Sequence, residues 1–392
     1  MPITFACERC GRSYNVDEAF AGRRVKCKEC QNVLTVPEPE IIEVAVIEDE
    51  PAAVAGRPHR PGPAGHVGPD GRTGGNPEVA DWSRRVLAEL GKVFVGQDEL
   101  VRGVLVALLA DGHVLIESVP GLGKTLLVRA LGRVLGCAFN RIQFTPDLMP
   151  SDVTGSPIYD ESRHDFRFRP GPVFTQLLLA DEINRAPAKT HSALLEIMQE
   201  ARVTVDGAMY PIEKPFLVMA TQNPIESEGT YNLPEAQLDR FLFKLVADYP
   251  GAVEEANILR LHTKGRGPES ILAGDMATVT GPAEVLDVQR RCAEVLVDER
   301  LLNYIASLVR RTREWPSFAL GASPRAGVAI LRGCRAVAAL EGRDFTVPDD
   351  VQEVALPALR HRVILTPEAE VEGRKADDLL QEMVRSIEVP RR

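Results

Sequence analysis

Residues 113–125 read HVLIESVPGLGKT: an apolar run, a glycine-rich turn, then a segment with helical periodicity. A turn of that kind gathers backbone N–H groups around a phosphate and sets it against the N-terminus of the helix that follows, which leaves few folds open to the chain. A bound triphosphate needs many donors and little steric bulk near its β-phosphate. Pro120, Gly121, Leu122, Gly123, Lys124, Thr125 and Leu126 are therefore the expected cradle, with Lys124 reaching β- and γ-oxygens and Thr125 a magnesium ion. The pattern G-x-x-x-x-G-K-[S/T] departs at its first position, where Ser118 stands in place of glycine. A positive φ there would strain a residue with a side chain, so the entry to the loop is expected to differ without loss of the phosphate donors.

The second half of such a site is expected at Leu177-Leu178-Leu179-Ala180-Asp181-Glu182. Four apolar residues make a buried strand, and carboxylates at its C-terminal end sit where ligands bind in open α/β sheets. Asp181 is expected to hold magnesium through water, and Glu182 to orient and deprotonate the attacking water. The fifty-seven residues from Lys124 to Asp181 leave room for a helix, a strand and another helix. A third apolar run, residues 216–221 (FLVMAT), ends in Gln222-Asn223-Pro224; Asn223 is the polar side chain expected to hold the lytic water or the γ-phosphate.

Around these motifs the 392-residue chain is too long for one ordinary domain, and 44% apolar with 26% charged residues suits a core-forming globular protein. Its longest unbroken apolar run, residues 104–110, is far short of the roughly 20 residues needed to cross a bilayer. With no basic and apolar leader pattern at the N-terminus, a cytoplasmic protein is expected. The net charge of −10 divides unevenly: +2 over residues 1–37, −5 over 38–78 and −7 beyond. Pro and Gly fill 13 of the 27 positions in residues 51–77, too little apolar surface to offset chain ordering, so a disordered tether is expected at 38–78. Its acidic start, residues 38–50, interleaves six acids with Ile41, Ile42, Val44, Val46 and Ile47; it reads either as solvated linker or as a short partner-binding strand.

Residues 79–95 have helical periodicity, and short apolar strands then alternate with helices to about residue 250, which argues a parallel sheet covered by helices. From Ala252 onward strand signals vanish. Leu301, Leu302, Ile305, Leu308 and Val309 form one helical stripe, and Ser323-Pro324 reads as the N-cap and first residue of a helix running to about Leu340. The expected domains are thus 1–37, 38–78, an α/β nucleotide-binding part at 79–250 and a helical part at 251–392.

Cys7-x-x-Cys10 and Cys27-x-x-Cys30, sixteen residues apart, have the spacing of a four-thiolate zinc ribbon, and a segment this small has almost no core without the ion. Arg23, Arg24, Lys26 and Lys28 make one side basic; the ribbon reads equally as a nucleic-acid contact or as a protein-docking module. Cys137, Cys292 and Cys334 have no partners at ligand spacing and read as small apolar fillers.

From about residue 79 to its end the chain resembles the MoxR branch of AAA+ ATPases, in the helix-2-insert clade that also holds the magnesium chelatase ATPase subunit. The resemblance rests on Val95-Gly96-Gln97, residues 119–125 (VPGLGKT), 141–155 (RIQFTPDLMPSDVTG), 168–174 (FRPGPVF), 180–187 (ADEINRAP), 220–225 (ATQNPI), 233–241 (LPEAQLDRF) and 321–325 (GASPR). It implies Lys124 and Thr125 in Walker A, Asp181 and Glu182 in Walker B, Asn223 as sensor 1, Arg240 as arginine finger, Arg325 as sensor 2, and Gly96 and Gln97 on the adenine side. Phosphoryl transfer spreads charge over the γ-oxygens, and a guanidinium can meet two of them at once. Arg240, on the far edge of the nucleotide part, is expected to serve a neighbouring subunit, so a homo-oligomeric ring is implied, a hexamer in this family. Which of Arg185, Arg240 and Arg325 act in cis and which in trans stays open at this point.

The family places two hairpins at the ring's pore or surface, and residues 202–210 and 159–168 have strand alternation around polar turns that suits them. The resemblance implies an ATPase using ATP and Mg2+, with Zn2+ in the ribbon. It also implies chaperone-like remodelling of protein clients, von Willebrand factor A domain proteins among them. The other reading is a nucleic-acid motor or loader recruited through the ribbon, against which the acidic ATPase part argues.

Overall fold

The computed structural model describes residues 3–6, 13–16, 24–27, 29–30, 33–35, 75–161, 164–223, 231, 233–263 and 267–390. It divides into two compact units, Met1–Gly65 and His66–Arg392.

In the first unit β1 (Ile3–Ala6) pairs antiparallel with β2 (Ser13–Val16), and β3 (Arg24–Lys26) with β4 (Val33–Thr35). Each Cys-x-x-Cys pair falls in the six-residue connection of one of these hairpins. Cys7 and Cys10 lie outside the described residues; Cys27 is buried and Cys30 half-buried. Among the described residues no group of three or more His, Cys, Asp or Glu is placed to hold a metal ion. The expected tether at 38–78 lies outside the described residues up to residue 74.

The second unit opens with α1 (Pro77–Leu90) and α2 (Asp98–Leu109). The helix expected over 79–95 stops early: Val93 and Phe94 are buried from the loop that follows. Five parallel strands form the sheet: β5 (Val114–Ser118), β6 (Phe139–Gln143), β9 (Leu177–Asp181), β12 (Leu217–Gln222) and β13 (Phe243–Ala247), ordered β13-β5-β12-β9-β6. Every residue of β9 is buried, as expected for a strand covered on both faces. The pleat sends Val114, Ile116, Leu177, Leu179, Leu217 and Met219 into one core, while Leu115, Leu178, Ala180, Val218 and Ala220 enter the other. α3 (Lys124–Leu135) covers the first face and α5 (Ala188–Glu200) the second.

Between β6 and β9 the chain does not hold the full second helix expected. A five-residue α4 (Pro150–Thr154) leads into a hairpin of β7 (Gly155–Asp160) and β8 (Asp165–Pro170). A second hairpin, β10 (Arg202–Val205) and β11 (Ala208–Pro211), turns through Asp206 and Gly207, whose φ values of 50° and 80° fit a tight two-residue turn. Both hairpins were legible in the alternation. Phe168 of β8 stacks on Tyr210 of β11 with ring centroids 4.1 Å apart, while Phe166 and Met209 stay exposed.

After α6 (Glu235–Leu238) and β13 come α7 (Ala252–Thr263), α8 (Pro268–Ser270), α9 (Pro282–Ala293) and α10 (Glu299–Glu314), then α11 (Pro324–Leu340) and α12 (Pro348–Leu359), and finally α13 (Pro367–Val371) and α14 (Ala376–Ser386). Strands do not vanish entirely here. β14 (Phe318–Leu320) pairs antiparallel with β15 (Ile364–Leu365), and Leu296 bridges Phe345 in parallel. Strands of two or three residues are too short to show alternation in the sequence. The stripe on α10 is buried at Leu301, Ile305, Leu308 and Val309, with Leu302 at its margin. The Ser323 hydroxyl accepts the Arg325 backbone N–H at 3.2 Å and caps α11. The C-terminal helices share one core with α1, α2 and α3. Cys137, Cys292 and Cys334 are buried, and burial pushes their thiols up to about 11, 12 and 12, which suits inert fillers.

Candidate active site

Ser118 is the last residue of β5, paired with Ala247 of β13, so its backbone is extended rather than at positive φ, and the entry to the loop differs from the glycine pattern as expected. Its buried hydroxyl accepts from Lys124 Nζ at 2.8 Å, so the residue that replaces the first glycine holds the lysine expected to bind phosphate. Gly121 and Gly123 have φ of 87° and 73°, a region that residues with a Cβ rarely enter. A Cβ on Gly121 would meet nothing within 4 Å among the described residues, so the turn is uncrowded there. Gly123 caps α3 and rests on Phe94, whose Cε2 lies 3.4 Å from where its Cβ would be.

Phe94 leads into the expected base-binding segment. Gly96, with φ of 85°, packs so tightly that a Cβ would come within 2.7 Å of Glu254 Cβ. Gln97 Nε2 donates to the Asp248 carbonyl at 3.1 Å, just past the end of β13. Its Oε1 is buried with no hydrogen-bond partner among the described residues. An orphaned acceptor beside the glycine turn fits the exocyclic amine of a purine, and the glycine turn, Lys124 and the hydroxyl of Thr125 fit phosphate and magnesium.

The carboxylates stand at the same edge of the sheet. Asp181 Oδ1 accepts from Thr221 Oγ1 at 2.6 Å; Asp181 Oδ2 accepts from Arg141 Nη2 at 2.6 Å and Nε at 3.2 Å. Glu182 adopts a left-handed φ of 54°, and its backbone N–H donates to Thr221 Oγ1 at 2.9 Å. Glu182 Oε2 accepts from Gln143 Nε2 at 2.7 Å and pairs with Arg185 Nε at 3.1 Å. Arg141 Nη2 also donates to Gln143 Oε1 at 2.7 Å, which closes a circuit through Arg141, Gln143, Glu182, Thr221 and Asp181. Asn223 is buried one residue beyond β12, past the pair of Gln222 with Glu117 of β5. Sequence reading missed Arg141, Gln143 and Thr221. Their signal was positional, since alternate residues at the end of β6 and a hydroxyl at the end of β12 must face the carboxyl end of β9.

Arg240 and Arg325 come together elsewhere. Both line a cavity of about 420 Å³ with Asp111, His113, Lys214 and Arg332. His113 precedes the first residue of β5 and Ser118 ends it, so about 16 Å of strand, at roughly 3.3 Å per residue, separates the cavity from the glycine turn of the same chain. Arg240 Nε is buried with no hydrogen-bond partner among the described residues, and Arg325 is exposed. Arg185, the third candidate, instead lies at the Glu182 end. His113 is buried under this cavity; its Nδ1 accepts from the Val218 N–H at 3.1 Å and its Nε2 faces the Met198 carbonyl at 2.9 Å, so the ring is neutral with the proton on Nε2, and burial lowers its pKa.

Comparison with known proteins agrees with this architecture. Residues 113–243 match the family described as ATPase family associated with various cellular activities, and residues 310–383 match the AAA lid domain. The chain is 47% identical over 306 residues to the uncharacterized protein YeaC of Bacillus subtilis, covering 78% of this chain and 94% of that one. It is 43% identical over 344 residues to Chaperone MoxR1 of Mycobacterium tuberculosis, with 85% and 88% covered. The crystal structure of a candidate ATPase from Cytophaga hutchinsonii superposes with a TM-score of 0.75 at 39% identity, over 81% of this chain and 97% of that one.

Proposed function

Because the chain belongs to the MoxR family of AAA+ ATPases, we propose that it hydrolyses ATP with magnesium in a ring of its own copies and uses the cycle to remodel protein clients. The observation that carries this reading is the meeting of the Gly121–Gly123 turn, Lys124, Asp181 and Glu182 at one edge of a parallel sheet, with Gln97 held beside it. Gln97 and Gly96 would take the base, the turn and Lys124 the β- and γ-phosphates, and Thr125 and Asp181 the metal. Magnesium, when bound, would neutralise charge on the bridging phosphate oxygens. Glu182 would accept the proton of the attacking water once released from Gln143 and Arg185, and Asn223 would help orient that water.

Arg240 and Arg325 would serve the neighbour's phosphates; what supports this is the lining of their cavity by Asp111, His113 and Phe216, at the start of the strands and not at the glycine turn. A guanidinium in that position meets charge as it spreads over the γ-oxygens. Exposed Ile158, Tyr159, Phe166 and Met209 on the two hairpins support contact with extended apolar protein segments. The family resemblance adds von Willebrand factor A domain proteins as the client class to try first. Zinc is assigned to Cys7, Cys10, Cys27 and Cys30, a set of four thiolates carried in two hairpin connections.

Phosphate release by the assembled protein, with magnesium and with and without client or DNA, tests the reading. Wild-type release no greater than that of Glu182→Gln under every condition would refute it. Steep, salt-sensitive stimulation by DNA would replace the client by nucleic acid.

A further inference from the structure

Arg362, just past the end of α12, is 7% exposed and is not among the residues named so far as catalytic or binding. Its Nε donates to Asp239 Oδ1 at 2.6 Å. Its Nη2 donates to the carbonyls of Asp239 at 3.0 Å and Phe241 at 2.6 Å, and its Nη1 to those of Leu242 at 3.1 Å and Ala358. A guanidinium has five N–H donors, and these five acceptors use all of them. Arg362 therefore has nothing left to offer a phosphate, although it borders the cavity of Arg240 and Arg325.

What it holds is the chain on either side of Arg240. Asp239 spends one oxygen on Arg362; the other accepts from Ser323 Oγ at 2.9 Å. Ser323 is the N-cap of α11, whose second residue is Arg325. The neighbouring His361 Nε2 meets the Phe241 carbonyl at 3.1 Å. A single carboxylate thus ties the segment bearing one cavity arginine to the helix start bearing the other, and Arg362 fixes that carboxylate to the end of α12.

We propose that Arg362 is a positioning residue that, through Asp239 and Ser323, presents Arg240 and Arg325 as one rigid unit to the nucleotide of the adjacent subunit. The proposal rests on the shared-site reading above. Its consequence is that a shift of the C-terminal helices moves both arginines together, so that a ring senses the lid of one subunit in the hydrolysis rate of the next.

The test uses full-length protein carrying Arg362→Lys, which keeps the charge but cannot reach five acceptors, and Ser323→Ala, which removes only the bond to Asp239 and the helix cap. Binding of a fluorescent ATP analogue and phosphate release are measured for each alone and mixed with Glu182→Gln subunits, with Arg240→Ala as the control. Arg362→Lys is expected to lose about tenfold or more in kcat, as for displaced arginine fingers, with analogue affinity unchanged. Ser323→Ala loses less, and mixing raises phosphate release above both parents. Wild-type kcat in both variants overturns the proposal. So does a defect that mixing does not relieve while the Arg240→Ala defect is relieved, since Arg362 then serves only its own subunit's fold. If Arg240→Ala is itself not relieved, the shared site fails first, and the proposal with it.

Discussion

The side-chain amide of Gln143 donates to the Glu182 carboxylate at 2.7 Å and thereby occupies the oxygen that Arg185 also approaches at 3.1 Å. The expected general base is therefore held by two neighbours. Gln143 lies directly across the β6–β9 register from Asp181, so a change at either the expected metal ligand or the expected base is felt by one side chain.

Gln143→Ala should raise basal hydrolysis. A hydrogen bond to a carboxylate is worth about 1.5–3 kcal/mol at most, and less at a partly exposed pair, so an increase of roughly three- to tenfold is expected. Steady-state phosphate release without client reads it; an unchanged or lower rate would mean that Gln143 orients Glu182 rather than withholding it.

Arg141 bonds Asp181 at 2.6 Å, where the expected magnesium ligand needs its charge for the metal. A guanidinium and a cation compete for one carboxylate, so Arg141→Ala should lower the magnesium concentration giving half-maximal binding of a fluorescent ATP analogue, by severalfold. A higher requirement would show that Arg141 instead holds Asp181 in its liganding pose.

Most of this architecture was legible in the sequence because its signals are local. The glycine turn, the LLLADE strand end, the Asp206-Gly207 hairpin and the Ser323-Pro324 cap are each set by a few adjacent residues whose chemistry has one good use. The circuit at the carboxylates was not, since Arg141, Gln143 and Thr221 become neighbours of Asp181 only through the strand order β12-β9-β6. The same holds for Arg362, which lies 123 residues from Asp239 along the chain. At Ser118 the departure from glycine was legible and so was its consequence, a different loop entry; what was not legible is that the extended strand end lets the hydroxyl accept from Lys124.

Stability should fall in mild acid. Burial, ahead of all else, lowers the pKa of His113; Arg332 and Lys214 act the same way and Asp111 opposes them. His361 is likewise lowered well below its ordinary value, first by burial and then by Arg362, with Lys244 and Arg360 adding to it. A folded pKa below the unfolded one means that the stabilisation is complete above about pH 6.5 and is lost as pH falls through the folded values. Protonating His113 would also set a donor against the Val218 N–H. Denaturant unfolding at pH 7.5 and 5.5 should lose about 1.4 kcal/mol per pH unit for each histidine that titrates, and His113→Asn should flatten the profile while lowering stability at neutral pH.

Metal analysis of purified full-length protein should find zinc at one ion per chain. Cys27→Ser should lower that content without changing ATP-analogue binding by the second unit, because the four thiolates and the glycine turn belong to separate compact units. Absence of zinc from protein prepared without chelator would remove the ribbon assignment.

Mixed assemblies decide which subunit each arginine serves. Glu182→Gln subunits keep Arg240 and Arg325 but lack the base; Arg240→Ala or Arg325→Ala subunits keep the base but lack one arginine. If both arginines act on the neighbour, either combination creates sites with an intact base on one side and intact arginines on the other. Phosphate release should then exceed that of both parents. Sharing of the cavity by Arg240 and Arg325, about 16 Å of strand away from their own glycine turn, leads to the same outcome for the two. Were Arg325 to reach its own subunit's phosphates after a lid movement, its loss would travel with the base-competent subunit and mixing would leave Arg325→Ala as poor as it was alone. Relief of Arg240→Ala without relief of Arg325→Ala would therefore assign the second arginine to its own chain, and would break the rigid unit inferred from Asp239, Ser323 and Arg362.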